Sequence, residues 1–213
     1  YQDQPAVGGG KWPATDLVID NNLAFEIDPA VWGAGNYTTM ALNGPYKRVR
    51  VAHNTIDTSQ PYGTGLTTVS VAGPIEGLRW LNNVMTLSVT CFSEQNGSHL
   101  AALTKTSIAD RVIRGNVFGD DGADHGALNP PMNRYSDTQA FSRAQFTPEY
   151  RVTASSPYRG AAVDDLGHAT GKDLGADIDA IRSAVGPNLW TAAGFTSTPG
   201  SAPRPPTAVT MKE

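Results

Sequence analysis

Hydrophobic residues along the chain fall in short runs broken by clusters of Gly, Pro, Asn and Asp, and few stretches keep a helical period. That punctuation predicts an all-β fold. Within it one frame recurs: Asn22, Asn54, Asn83 and Asn116 stand 32, 29 and 33 residues apart. Three residues before each Asn comes Ile19, Val51, Trp80 or Ile113, and two residues after it Ala24, Ile56, Met85 or Phe118. Five before stand Leu17, Val49 and Leu78, with Arg111 breaking the set; nine before stand Pro13, Pro45 and Pro74, with Ser107 the exception. The two central copies, Gly44 to Asn54 and Gly73 to Asn83, align without a gap.

Each copy reads as a short strand, apolar at alternating positions, that ends in a turn at Asn. Proline opens the strand, where its missing N–H does no harm. Asparagine tolerates left-handed backbone, and its amide both donates and accepts, so stacked copies would bond one Asn to the next in a ladder. A single copy cannot bury its apolar face alone, whereas stacked copies share a core. Segments from Thr38 to Leu42, Leu66 to Val71 and Leu87 to Phe92 supply further strands. One helix is predicted, from Asp177 through Ile178, Ile181 and Val185 to a Gly186-Pro187 stop, with the acidic start acting as a cap.

The stretches Val49 to Ile56, Leu78 to Met85 and Val112 to Phe118 resemble the repeats of right-handed parallel β-helix proteins, the pectin-lyase-like superfamily. A second likeness lies in Ser155-Ser156-Pro157-Tyr158-Arg159-Gly160-Ala161-Ala162 followed by Asp173-Leu174-Gly175-Ala176-Asp177. It resembles the segment that closes the last coils of bacterial secreted or cell-surface members. The resemblance implies an all-β, right-handed parallel β-helix solenoid over residues 12–186, with a short C-terminal helix. A Gly-rich arm (1–11) would precede it and a Pro/Ser/Thr-rich tail or linker (187–213) would follow. Such a solenoid usually has more coils, so a lost N-terminal half, or another chain covering the open end, is expected.

Composition refines this picture only slightly. The 22 glycines and 15 prolines among 213 residues mostly punctuate the copies, and the charge is −4. No Lys/Arg stripe is present to track phosphates, which argues against nucleic acid as partner. The lone Cys91 excludes an intramolecular disulfide, and no run approaches a membrane span.

Candidate chemistry is sparse. The chain has no HExxH, no GxSxG, no Walker loop and no dinucleotide fingerprint. Asp120, Asp121 and Asp124, separated by glycine, form the densest acidic turn and are a candidate Ca²⁺ site; a solvated turn is the competing reading. Arg50 and Arg79 share one repeat position and should point outward on successive copies, with His53 and Asp57 nearby. Stacked arginines suit the carboxylates of an acidic polysaccharide, and the competing reading pairs them with Asp or Glu of the chain itself. Val18 and Val112 break the column on either side. Trp32, in a Gly-rich loop, is a candidate sugar-stacking residue. No catalytic residue is assigned, because nothing in the spacing fixes a carboxylate pair.

The leading expectation is a secreted or cell-surface bacterial domain with a structural or carbohydrate-binding role, as part of a longer protein. Its partner would be a polysaccharide or another chain over the open end. A polysaccharide-degrading lyase or hydrolase is the first alternative. A structural subunit stacking end to end is the second.

Overall fold

The computed structural model describes residues 14–27, 38–42, 45–58, 67–71, 75–87, 90–94, 108–119, 132–135, 137–192 and 195. The recurring frame sets the pairing. In the first sheet β1 (Ala14–Thr15) and β2 (Val18–Asp20) lie beside β5 (Tyr46–Ala52), β5 beside β8 (Ile75–Leu81), and β8 beside β11 (Ile108–Ala109) and β12 (Val112–Arg114). All pairs are parallel and in repeat register: Ile19 faces Val51, Val51 faces Trp80, and Trp80 faces Ile113. A second sheet is built from β3 (Leu23–Ile27), β6 (Thr55–Thr58), β9 (Val84–Met85) and β13 (Val117–Phe118). The third joins β4 (Thr38–Leu42), β7 (Thr67–Val71) and β10 (Thr90–Glu94), the Thr- and Val-rich segments read as strands from sequence.

The three apolar columns of the repeat converge on one core. Val51, Trp80 and Ile113, then Ile56, Met85 and Phe118, then Val49 and Leu78 are buried together, with Leu17, Ile19 and Ala24 packed against them. Arg111, which breaks the third column, is exposed. Removing side chains of this size from water stabilises by about 1.5–3 kcal/mol each.

The asparagines form the ladder. Asn22 Nδ2 donates to Asn54 Oδ1 at 2.8 Å, Asn54 to Asn83 at 2.8 Å and Asn83 to Asn116 at 3.0 Å. Each accepting oxygen also takes the backbone N–H of the preceding ladder residue, as Asn83 Oδ1 does from Asn54 at 3.0 Å. The second amide hydrogen reaches a strand carbonyl, from Asn83 to Val51 at 3.0 Å and from Asn116 to Trp80 at 2.8 Å. Asn133 adds a fifth residue and a fourth step, accepting from Asn116 Nδ2 at 2.9 Å.

The turn itself differs from expectation. Positive φ belongs not to the ladder Asn but to the residue before it: Asn21 (55°), His53 (52°), Asn82 (56°), Gly115 (68°) and Met132 (63°). A second left-handed column, Asp16, Arg48, Gly77 and Asp110, lies six residues ahead of each of the first four asparagines.

The expectation of an all-β, right-handed parallel β-helix over 12–186 is corrected. Among the described residues the parallel strands end at Phe118, apart from a single bridge between Val117 and Arg134. Beyond them come two helices, α1 (Gln139–Ala144) and α2 (Ile178–Ala192), and a long irregular segment with isolated antiparallel bridges at Phe146–Val152 and Val163–Ala169. Parallel sheets combined with helices give a parallel α/β-like arrangement, not a clear solenoid. The physical reason lies in the sequence after Asn116, where strict alternation ceases. Thr138 caps a helix by accepting the Phe141 N–H at 3.1 Å, and Gly160, Gly167, Gly171 and Gly175 turn the chain at positive φ. Tyr158, Ala162 and Leu174, the apolar residues of the two terminal motifs, pack on Val84 and Val117 from outside the sheets.

The predicted helix begins as expected, with Asp177 Oδ1 accepting the Ala180 N–H at 3.0 Å. It ends at Gly186 as expected. That residue leaves helical geometry (φ 77°, ψ 164°), and Pro187 opens a second helical piece, where its missing N–H is harmless. The first residues of the expected tail are therefore helical, and Trp190 and Phe195 are buried and stacked with centroids 4.4 Å apart.

Candidate functional site

Residues 159–177 run as a strap across the turn row. Asn82 grips it with both ends of its amide: Oδ1 accepts the Val163 N–H at 2.9 Å and Nδ2 donates to the Val163 carbonyl at 2.8 Å. Gly175 donates its N–H to the Asn82 carbonyl at 2.8 Å, Ala176 to Thr55 Oγ1 at 2.9 Å and Asp177 to Asn21 Oδ1 at 2.6 Å. Gly175 sits at φ +81° with no room for a side chain, since a Cβ would overlap Thr55 Oγ1. The motif Asp173-Leu174-Gly175-Ala176-Asp177 is thus shaped by its seat on the turn row.

Between the strap, the start of α2 and the turn after β5 opens a cleft of about 620 Å³. Asp20, Arg50, His53, Arg151, Arg159 and Lys172 are among its lining residues, together with Asp173, Asp177 and Asp179. Every carboxylate there is already engaged. Asp20 Oδ2 accepts from Arg50 Nε at 3.4 Å, and Asp179 Oδ1 from both Arg151 Nη2 (2.5 Å) and Nε (3.1 Å). Arg151 holds the Asp179 carboxyl below its usual range. Asp173 accepts the Gly160 N–H at 2.8 Å, and Asp177 caps α2. Arg159 and Lys172 form no ion pair with any described residue, so the cleft presents two uncommitted cations. His53 lies half-buried at its floor, and burial lowers its pKa from 6.5.

The residues singled out from sequence divide. Arg50 and His53 line this cleft. Arg79 is in register with Arg50 but belongs to an internal network: its Nε meets Asp165 Oδ2 at 3.1 Å, and its Nη1 donates to the Asp110 carbonyl at 2.6 Å. Arg50 also lies 4.0 Å from Asp165, so one acid of the strap serves both arginines. Asp57 points elsewhere; it is buried, accepting from Thr86 Oγ1 at 2.5 Å, Arg143 Nε at 2.8 Å and Tyr150 Oη at 2.7 Å. Trp32 and the acidic turn Asp120, Asp121 and Asp124 lie outside the described residues. Among the described residues no cluster of His, Cys, Asp and Glu is placed to hold a metal. Sequence reading missed Arg159 and Lys172. Arg159 sits inside the motif that drew attention, but only folding brings it beside the repeat.

No protein-family model, curated protein or solved structure matches the chain. No helix among the described residues is long and apolar enough to cross a membrane.

Proposed function

We propose that this chain is a secreted or cell-surface binding domain whose cleft takes an acidic polysaccharide. One observation carries the reading: the cleft pairs two cations, Arg159 and Lys172, that form no ion pair with any described residue, with a wall of carboxylates that are all engaged by other groups. Free cations attract the acid groups of a ligand. Carboxylates held in place by those partners keep lone pairs that accept hydrogen bonds from sugar hydroxyls. Affinity electrophoresis against polygalacturonate should retard the chain, and a neutral glucan should not. Replacing Arg159 and Lys172 together by Ala should weaken retention by about tenfold or more, the loss of one or two charge-assisted contacts. Unsaturated products appearing at a steady rate in an absorbance assay would replace this reading with that of a lyase.

A further inference from the structure

We infer that His53 is a proton-sensitive latch between the turn row and the strap, and so regulates the cleft proposed above; only the ligand consequence rests on that proposal. The geometry fixes the state of the ring. Asn82 cannot flip its amide, because Oδ1 takes the Val163 N–H and Nδ2 serves the Val163 carbonyl. The remaining Nδ2 hydrogen faces His53 Nε2 at 3.4 Å. Nε2 must therefore be the unprotonated nitrogen of a neutral imidazole, and the other ring nitrogen carries the hydrogen. The backbone of Gly175 lies close enough to the same ring to favour its protonated form. A single imidazole thus reaches the strap at position 163 through Asn82 and lies beside it at position 175.

Protonation would set an Nε2–H against the Nδ2–H of Asn82 and place a charge in a half-buried position. The surrounding charges do not resolve the conflict. Asp20 on β2 attracts the added proton, Lys172 on the strap and Arg50 on β5 repel it, and burial tips the balance toward the neutral ring. Acidification therefore loosens the strap at Val163, where Asn82 holds it. Arg159 and Lys172 ride on that strap, so both cations move out of register with the cleft at the same time.

The test is amide hydrogen exchange on the whole chain, with the His53 ring followed by NMR in the same samples. Protection at Val163 should fall as His53 gains its proton, while protection at Val51 and Trp80 in the core stays constant. In His53→Asn, a side chain suited to the left-handed backbone already occupied by Asn21 and Asn82, the acid-dependent loss should vanish. Protection at the strap that is flat from pH 7.5 to 5, or that falls equally in His53→Asn, would overturn the latch. Polygalacturonate retention measured over the same range separates the two claims. Loosening of the strap without any retention at neutral pH sinks the proposed ligand and leaves the latch standing.

Discussion

At the scale of single residues, the ladder asparagines do more than mark turns. Asn83 is fully buried, and its amide takes part in four hydrogen bonds: from the Asn54 N–H and Nδ2, to Val51 and to Asn116. Asn83→Ala strands buried donors and acceptors on the copies to either side at once and should cost about 3 kcal/mol in urea denaturation, at roughly 1–3 kcal/mol per unmatched buried group. A loss under about 1 kcal/mol would show that the ladder is ornamental, since that is the net worth of one ordinary hydrogen bond. Gly115 is the second sensitive position. Its φ is +68°, and a Cβ there would overlap Asn82 Oδ1 and crowd Val163. Gly115→Ala should destabilise by about 2 kcal/mol or more, combining the left-handed penalty with the clash. In Gly77→Ala only the backbone penalty applies, because its nearest neighbours are 3.6 Å away, so the smaller loss of the two is expected there.

Elements are held to one another by polar groups as much as by the core. Asp57 on β6 anchors Arg143 of α1 and Tyr150 beyond it, which ties the helical segment to the second sheet. Asp57→Ala should cost about 2–4 kcal/mol, because it removes the acceptor shared by Arg143, Tyr150 and the buried Thr86 hydroxyl. If the helical segment were merely tethered, near-ultraviolet dichroism and the denaturation midpoint would not change. Much of this level was legible in sequence. The columns at three and five residues before Asn and two after it became the core, because the pleat sends alternate side chains to one side. The left-handed columns stayed hidden, because Asn21, His53, Asn82, Gly115 and Met132 share a φ value but no side-chain chemistry. Asn133 was hidden by its spacing, only 17 residues after Asn116, although Tyr135 two residues later stacks on Phe118 at 5.4 Å in the pattern of the repeat. The all-β solenoid failed for a related reason. Its sequence signal ended at Asn116, and the two motifs read as its closing strands instead form an irregular strap.

At the scale of the whole molecule, stability and the cleft are linked through one titrating group. The His53 pKa lies below 6.5 in the folded chain, because burial disfavours its charged form. Its contribution is therefore fully present above about 6.5, the unfolded value, and is lost as pH falls from there to the lowered folded value. A denaturation series should show stability dropping over that interval in the native chain and a smaller drop in His53→Asn. The cleft itself was not legible in sequence, since Arg159 and Lys172 stand more than a hundred residues from the copy they face. The arginine pair that was legible, Arg50 and Arg79, is drawn into bonds with Asp20, Asp110 and Asp165. The measurement that most directly tests this division is chemical-shift mapping during titration with oligogalacturonate. The amides of Arg159, Lys172 and Gly175 should shift together and saturate, and moderate salt should abolish the effect by screening. Shifts centred on Arg79 and Val112, or none anywhere, would contradict the strap-face cleft as the binding site.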